Sequence, residues 1–328
     1  MISDHFVTNT TGREMATPMY VLLVRGVEVF SIVSTLLIIA LYIVKPLVKT
    51  GKMSWDGLFF LAVLMLWIQE PWLNYTQHQI LYSTVFVNFG SWCGYLPGWN
   101  SPNPEIYPVP IIFTSFAYMW ILAFPALLFS NFMRWMKARK PGISDLNLIG
   151  LTFLTICVFD LVLETFILRT HIFNYGSTVP RLSLFAGKYY QFPIYEMLSW
   201  SACYLALACL RFYRDDKGQS FVERGIDHLR APTRLKTFVR WLAIVGFAQT
   251  FMFLSYNVPY AFWGTQSGPI PDDMPAYQTA GLCGPGTDYD CPDFDVPIAR
   301  KKCPTNRICP EETSKLEGDR DHLAAGEE

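Results

Sequence analysis

Charge is what this sequence has least of. Only 16% of its residues are charged, against roughly 25% in soluble globular domains, and the segment from Thr76 to Pro110 contains neither Lys nor Arg. A net charge of −1 and the lack of any long basic tract exclude nucleic acid as a partner. There is no Gly-rich phosphate loop, no His-Glu-x-x-His and no Gly-x-Ser-x-Gly elbow, which removes three catalytic classes. The five histidines, His5, His78, His171, His228 and His322, show no metal-ligand spacing, so neither a metal nor a cofactor is expected. The first 19 residues carry Arg13 as their one basic residue, unlike the start of a cleaved leader, and the first apolar segment is expected to be retained.

What fills the chain is apolar: 52% of its 328 residues are hydrophobic and 16% aromatic. Six runs are long enough to cross about 30 Å of hydrocarbon: Val27 to Leu47, Trp55 to Tyr75, Ile111 to Trp135, Leu148 to Leu168, Tyr190 to Phe212, and Phe238 to Tyr260. The expected fold is therefore all-α, a polytopic membrane helix bundle over residues 1–263 with an extramembrane tail over 264–328. Lys45, Lys49 and Lys52 follow the first run, Arg134 to Lys140 the third, and Arg211 to Arg240 the fifth. Alternate loops are thus basic, and the positive-inside rule places them in the cytoplasm, with both termini outside a multi-pass protein whose first partner is membrane lipid.

Carboxylates inside those runs need a reason. Asp160 and Glu164 stand four residues apart, on one face of any helix there. Counted from Leu148, they lie ~18 Å and ~24 Å along the fourth span, past its middle. Glu70 closes the outer end of span two, Glu196 enters near the outer start of span five, and Glu28 with Arg25 lies near that of span one. Asn74, Asn174 and Asn257 fall at the same level. Polar residues scattered as helix glue have no reason to converge on one leaflet, whereas a site does. Arg25 and Arg169 are each placed to neutralise an acid, the purely structural reading for the outermost ones.

The loop Phe89 to Asn103 is rich in Gly, Pro and aromatics, including Trp92 and Trp99. It reads either as an interfacial anchor or as a lid for an apolar, oxygen-bearing substrate. Between Lys217 and Arg240, apolar and basic residues alternate behind a Ser220–Glu223 capping box, the pattern of an interfacial amphipathic helix. Four of eight cysteines, Cys283, Cys291, Cys303 and Cys309, fall in the tail and suggest disulfides of unassigned connectivity, with zinc as the competing reading. Cys157, Cys203 and Cys209 fall in spans as packed apolar residues.

Longer motifs bring in a resemblance. Asp160-Leu-Val-Leu-Glu164, the run Ala186-Gly187-Lys188-Tyr189-Tyr190-Gln191-Phe192-Pro193-Ile194-Tyr195-Glu196, and Leu210 to Gly218 with Glu223-Arg224-Gly225 resemble the spirocyclase AveC family. Gln69-Glu70-Pro71 with Asn74-Tyr75, and Gly90-Ser91-Trp92 with Pro97-Gly98-Trp99, add to it; the similarity runs roughly from Trp55 to Trp263 and excludes the cysteine-bearing tail. It implies a cofactor-independent cyclase forming spiroketals in polyketide biosynthesis, as in avermectin-type pathways of actinobacteria. Closing a dihydroxy ketone needs a carbonyl protonated, water lost through an oxocarbenium ion, and capture by a second hydroxyl. One protonated and one ionised carboxylate suffice, and a buried close pair keeps one proton near neutral pH.

Asp160 and Glu164 are the expected acid-base pair, with Glu196 or Glu70 stabilising the cation or positioning a hydroxyl. Asn74, Tyr75, Trp92, Trp99, Tyr190, Gln191 and Asn257 are the expected contacts to an apolar polyketide- or terpene-like substrate. An integral-membrane terpene cyclase would use the same carboxylates with aromatic faces for carbocations. A small-solute transporter is the non-enzyme alternative, opposed by the lack of an evident inverted repeat.

Overall fold

The computed structural model describes residues 7–296 and 299–302. Its helices are α1 (Pro18–Thr50), α2 (Trp55–Asn74), α3 (Ile111–Arg139), α4 (Asp145–Thr170), α5 (Ile194–Phe212) and α6 (Thr233–Gly264). Among the described residues, all but α5 are long and apolar enough to cross a membrane. The sequence starts these helices in recognisable ways. Thr17, Ser54 and Ser144 accept hydrogen bonds from the amides of Tyr20, Gly57 and Asn147 at 3.3, 3.0 and 3.3 Å, capping α1, α2 and α4. Gly51, at φ 67°, takes the left-handed turn that ends α1.

The fifth expected span is shorter than its apolar run, because Phe192 and Pro193 form a strand and the helix begins at Ile194. It is also more polar than its neighbours, and the packing says why. α5 lies against α3, α4 and α6 and buries Glu196, Trp200, Ser201, Cys203 and Tyr204 among them. A helix enclosed by other helices does not need a lipid-compatible surface. The lipid-type surface is evident instead on α4, where Val158, Val162 and Phe166 are 63%, 66% and 75% exposed while Leu148, Thr152, Ile156, Asp160 and Glu164 make a buried stripe at four-residue spacing.

One end of the bundle gathers the basic loops. There Arg211 pairs with Asp56 at 3.1 Å and Arg134 donates to the carbonyl of Arg211 at 3.0 Å, tying the ends of α5, α2 and α3. The segment Lys217 to Arg240 is not one amphipathic helix. The Ser220–Glu223 capping box forms, but it starts single 3₁₀ turns at Phe221–Glu223 and Ile226–His228. Gly218, at φ 72°, precedes the first turn and Gly225, at φ 90°, separates the two, and α6 begins only after Pro232. Glu223 is buried and accepts from the Trp55 indole at 2.6 Å, so this stretch is docked on the bundle.

The opposite end is capped by short two-stranded ribbons: β1 (Ile80–Tyr82), β2 (Asn88–Phe89), β3 (Val109–Pro110), β4 (Phe173–Tyr175), β5 (Ser183–Leu184), β6 (Phe192–Pro193), β7 (Tyr289–Asp290) and β8 (Arg300–Lys301). β1 pairs with β4, β2 with β3, β5 with β6 and β7 with β8, all antiparallel. The chain after α6 joins this cap. Ala280 and Leu282 are fully buried, Thr84 N donates to Tyr277 O at 2.8 Å, and Asn9 Nδ2 donates to Ala280 O at 2.8 Å. Cys283 and Cys291 form a disulfide, as expected of the tail; Cys303 and Cys309, and the end of the tail, lie outside the described residues. Cys157, Cys203 and the loop residue Cys93 are buried free thiols, and Cys209 is half-buried.

Candidate active site

A cavity of about 520 Å³ opens inside the bundle between α1, α3 and α4, a size within the range of small-molecule sites. Three of the expected acids, Glu70, Asp160 and Glu164, line it. Asp160 and Glu164 come from the buried stripe of α4. Glu70 comes from a 3₁₀ stretch, Met65–Asn74, in which residues three apart eclipse, so Glu70 and Leu73 both face the cavity. Glu196 sits in the first turn of α5, where the helix dipole favours negative charge, and stands just behind the wall. Oxygens of Asp160, Glu164 and Glu196 all lie within 4.8 Å of one another, and each of these residues is at least nine-tenths buried.

Tyrosines hold the carboxylates. Tyr175 donates to Glu164 Oε2 at 2.6 Å and Tyr256 to Glu196 Oε1 at 2.9 Å. Both oxygens of Glu70 are taken, Oε1 by the Tyr82 hydroxyl and Oε2 by that of Tyr118. Burial first, and the adjacent carboxylates second, push the Tyr82 and Tyr175 hydroxyls well above their ordinary value, so both remain donors. Among the described residues, Asp160 Oδ2 and Glu196 Oε2 are buried without a hydrogen-bond partner, and no Lys, Arg or His lines the cavity. Three charges so close, out of water and without a counter-ion, are not sustained, so the cluster keeps a proton or takes a cation. The three side chains offer enough oxygens for one hard cation.

The roof is the β1–β4 ribbon. Its register pairs Ile80 with Tyr175 and Tyr82 with Phe173. Alternation therefore turns all four toward the cavity and Leu81 with Asn174 away from it. Aromatic walls complete the chamber, with Phe113, Trp120, Phe159 and Trp200.

The residues expected to contact substrate are placed elsewhere. Asn74 accepts from Ile80 N at 3.0 Å, bracing the roof from behind, and Asn257 donates to Gln69 Oε1 at 2.5 Å. Gln191 donates to the carbonyls of Tyr175 and Gly176 at 3.0 and 2.5 Å, supporting β4. Tyr75 donates to Pro97 O at 2.6 Å, Trp99 to Ser101 O at 3.0 Å, and Trp92 is 45% exposed. Tyr190 packs under the Arg169 guanidinium, 4.7 Å from its ring centre, and among the described residues Arg169 is in no ion pair. The loop Phe89 to Asn103 docks on the N-terminal segment and the tail, with Gly90 N to Val7 O at 2.8 Å and Asn103 Nδ2 to Leu282 O at 2.9 Å. None of these residues lines the cavity. Glu28 is structural: it pairs with Arg25 at 2.5 Å and accepts from Val87 N at 2.7 Å. Tyr82, Tyr118, Tyr175 and Tyr256, which the sequence pattern does not single out, are the residues that hold the carboxylates.

The family profile described as Spirocyclase AveC-like matches residues 51–279, more than two thirds of the chain. The chain belongs to the AveC-like spirocyclase family. Within this AveC-like match lie all four acids and the four tyrosines, while α1 and the Cys283–Cys291 disulfide fall outside it. No curated protein and no solved structure matches the chain.

Proposed function

We propose that this AveC-like chain is a membrane-embedded cyclase that closes an apolar dihydroxy ketone to a spiroketal by acid-base catalysis. The observation that carries the reading is the convergence of Asp160, Glu164 and Glu196 within 4.8 Å of one another at the wall of an otherwise apolar cavity without basic residues. A carboxyl of this cluster protonates the carbonyl oxygen as the first hydroxyl adds, and that hydroxyl gives its own proton back to the resulting carboxylate, so a hemiketal forms and the acid is restored. The same acid then protonates the hemiketal hydroxyl, which leaves as water and forms an oxocarbenium ion. The second hydroxyl captures that cation and returns its proton to a carboxylate, so the net change is loss of one water. Asp160, with a carboxylate oxygen free of protein partners, suits the proton transfer, and Glu164 is its neighbour in the pair. Glu70, with both oxygens accepting from tyrosines, suits the role of a fixed negative charge facing the cation. Positioned proton transfer of this kind contributes typically 10²–10⁴-fold.

The reading extends to placement. The basic end of the bundle is assigned to the cytoplasm of a bacterial plasma membrane and the ribbon cap to the outside. The test is incubation of proteoliposomes with a synthetic dihydroxy ketone. A product lighter by one water and of single configuration at the spiro centre supports the reading, whereas unchanged substrate across a panel of chain lengths contradicts it.

The aromatic walls favour a terpene cyclase as the second reading. Phe113, Trp120, Phe159 and Trp200 offer π-faces to a carbocation, and cyclisation of a polyprenyl substrate in the same vesicles would select it.

A further inference from the structure

We propose that the substrate reaches the carboxylates sideways, out of the hydrocarbon, through a gap between α1 and α4 held open by the missing side chain of Gly26. This deepens the cyclase reading by naming its substrate class: a molecule dissolved in the bilayer, with its oxygen functions at one end and an apolar chain at the other.

Four observations carry it. First, α1 packs on α3, and α4 packs on α3 and α5, but no extended packing joins α1 to α4. Second, several residues face the cavity and the outside of the bundle at once: Leu23, Phe30, Phe124 and Leu163 line the cavity and are 39%, 54%, 43% and 40% exposed. A residue that does both stands on a rim. Third, a Cβ added at Gly26 would meet nothing within 4 Å, although Gly26 lines the cavity. A glycine in a helix interior costs roughly 0.5–1 kcal/mol relative to alanine, and here no close approach requires it, so what it provides is space. Fourth, among the described residues the roof is closed at three of its four positions, where Ile80, Tyr82 and Tyr175 are 4%, 7% and 1% exposed, and only Phe173 is half-buried.

The rim is apolar and lies at membrane depth. Phe30 is ~18 Å from the start of α1 and Leu163 ~10 Å from the end of α4, by the helical rise. The charged neighbour Arg25 does not obstruct it, being engaged by Glu28 and by Val85 O at 2.9 Å. Phe30 rests edge-on against Trp120, with ring centres 5.0 Å apart, and forms the α1 side of the opening with Gly26. Polarity therefore rises from rim to acids. A substrate so oriented places its carbonyl and hydroxyls against Asp160, Glu164 and Glu70 and leaves an overlong chain between the helices, in lipid.

The test needs no turnover. A diazirine-bearing hexadecanol is dissolved in phosphatidylcholine–phosphatidylglycerol proteoliposomes, photolysed, and its adducts mapped by mass spectrometry. Adducts on the inner-wall residues Ile80, Tyr82 and Phe173 are expected in the native protein, retained in Gly26→Ala and in the lipid-facing control Val33→Trp, and lost in Gly26→Trp. Leu163→Trp, from the opposite side of the gap, should lose them too and serves if Gly26→Trp does not fold. Full inner-wall labelling in a folded Gly26→Trp protein, or none in the native protein while exposed α1 residues label, overturns the portal. These outcomes do not depend on which ring closure occurs: a chain that fails to cyclise dihydroxy ketones but keeps this labelling pattern retains the portal and loses only the spirocyclase reading.

Discussion

Tyr175 donates its hydroxyl to Glu164 Oε2 at 2.6 Å, so a strand in the cap fixes the orientation of an acid on the neighbouring helix. A hydrogen bond to a charged group contributes about 1.5–3 kcal/mol. If Glu164 works as an ionised carboxylate during capture, Tyr175→Phe should reduce kcat by on the order of 10–100-fold while leaving KM nearly unchanged. The acidic limb of the pH–rate profile, which reports ionisation of that carboxylate, should move as well. A variant with altered melting but native kcat and an unmoved profile would make Tyr175 a packing residue only.

The cluster of Asp160, Glu164 and Glu196 is dense enough for a cation, so chelation decides how its charge is balanced. With protons as the working species, exhaustive treatment with EDTA should leave activity intact. Loss of activity on chelation and its return with one equivalent of Mg²⁺ per chain would turn the three acids into metal ligands.

His78, in the cap, provides a pH signature. Its Nε2 lies 2.6 Å from Pro102 O, a carbonyl that only accepts, so the ring is the Nε2–H tautomer, and Nδ1 is buried without a partner. Burial holds the imidazole down to about 4 from an ordinary value of 6.5. The unfolded chain therefore binds a proton below about 6.5 that the folded chain refuses until about 4. Stability from this group is complete above 6.5 and is lost as pH falls through that window, by about 3 kcal/mol in all for a fully buried ring. The difference in melting temperature between the native protein and His78→Gln should change in that direction between pH 7 and 4. A pH-independent difference would contradict the neutral buried ring.

Orientation is checked by thiol labelling. Single cysteines at Lys137 and at Asn100 should be respectively shielded from and open to an impermeant maleimide in intact cells. The reverse pattern would invert the bundle and place the ribbon cap in the cytoplasm.

Much of this architecture was legible in the sequence because it rests on short-range rules. Apolar runs predict the helices, and the four-residue spacing of Asp160 and Glu164 places both on one face. The tyrosines were not legible. Tyr82 and Tyr175 reach the site through the pairing of two three-residue strands distant in sequence, each too short for alternation to stand out. Tyr256 lies in a π-helical stretch, Phe253–Asn257, which no α-helical periodicity anticipates.

The expected substrate contacts lie outside the cavity lining for a different reason. Asn74, Gln191 and Asn257 are polar at the right depth, but buried backbone and side-chain groups around them also need partners, and they serve those. The aromatic loop containing Trp92 and Trp99 shows by its composition that it turns, not which surface it covers.

Whether Asp160 and Glu164 move the proton is read from turnover of a dihydroxy ketone in proteoliposomes by Asp160→Asn, Glu164→Gln and the double variant, each shown to be folded. Both substitutions keep size and hydrogen bonding while removing a transferable carboxyl proton. Each single variant should lose roughly 10²–10⁴ in kcat, and the double variant far less than the product of the two losses, because the pair acts as a unit. Native turnover in a well-folded double variant would contradict the carboxylate mechanism outright.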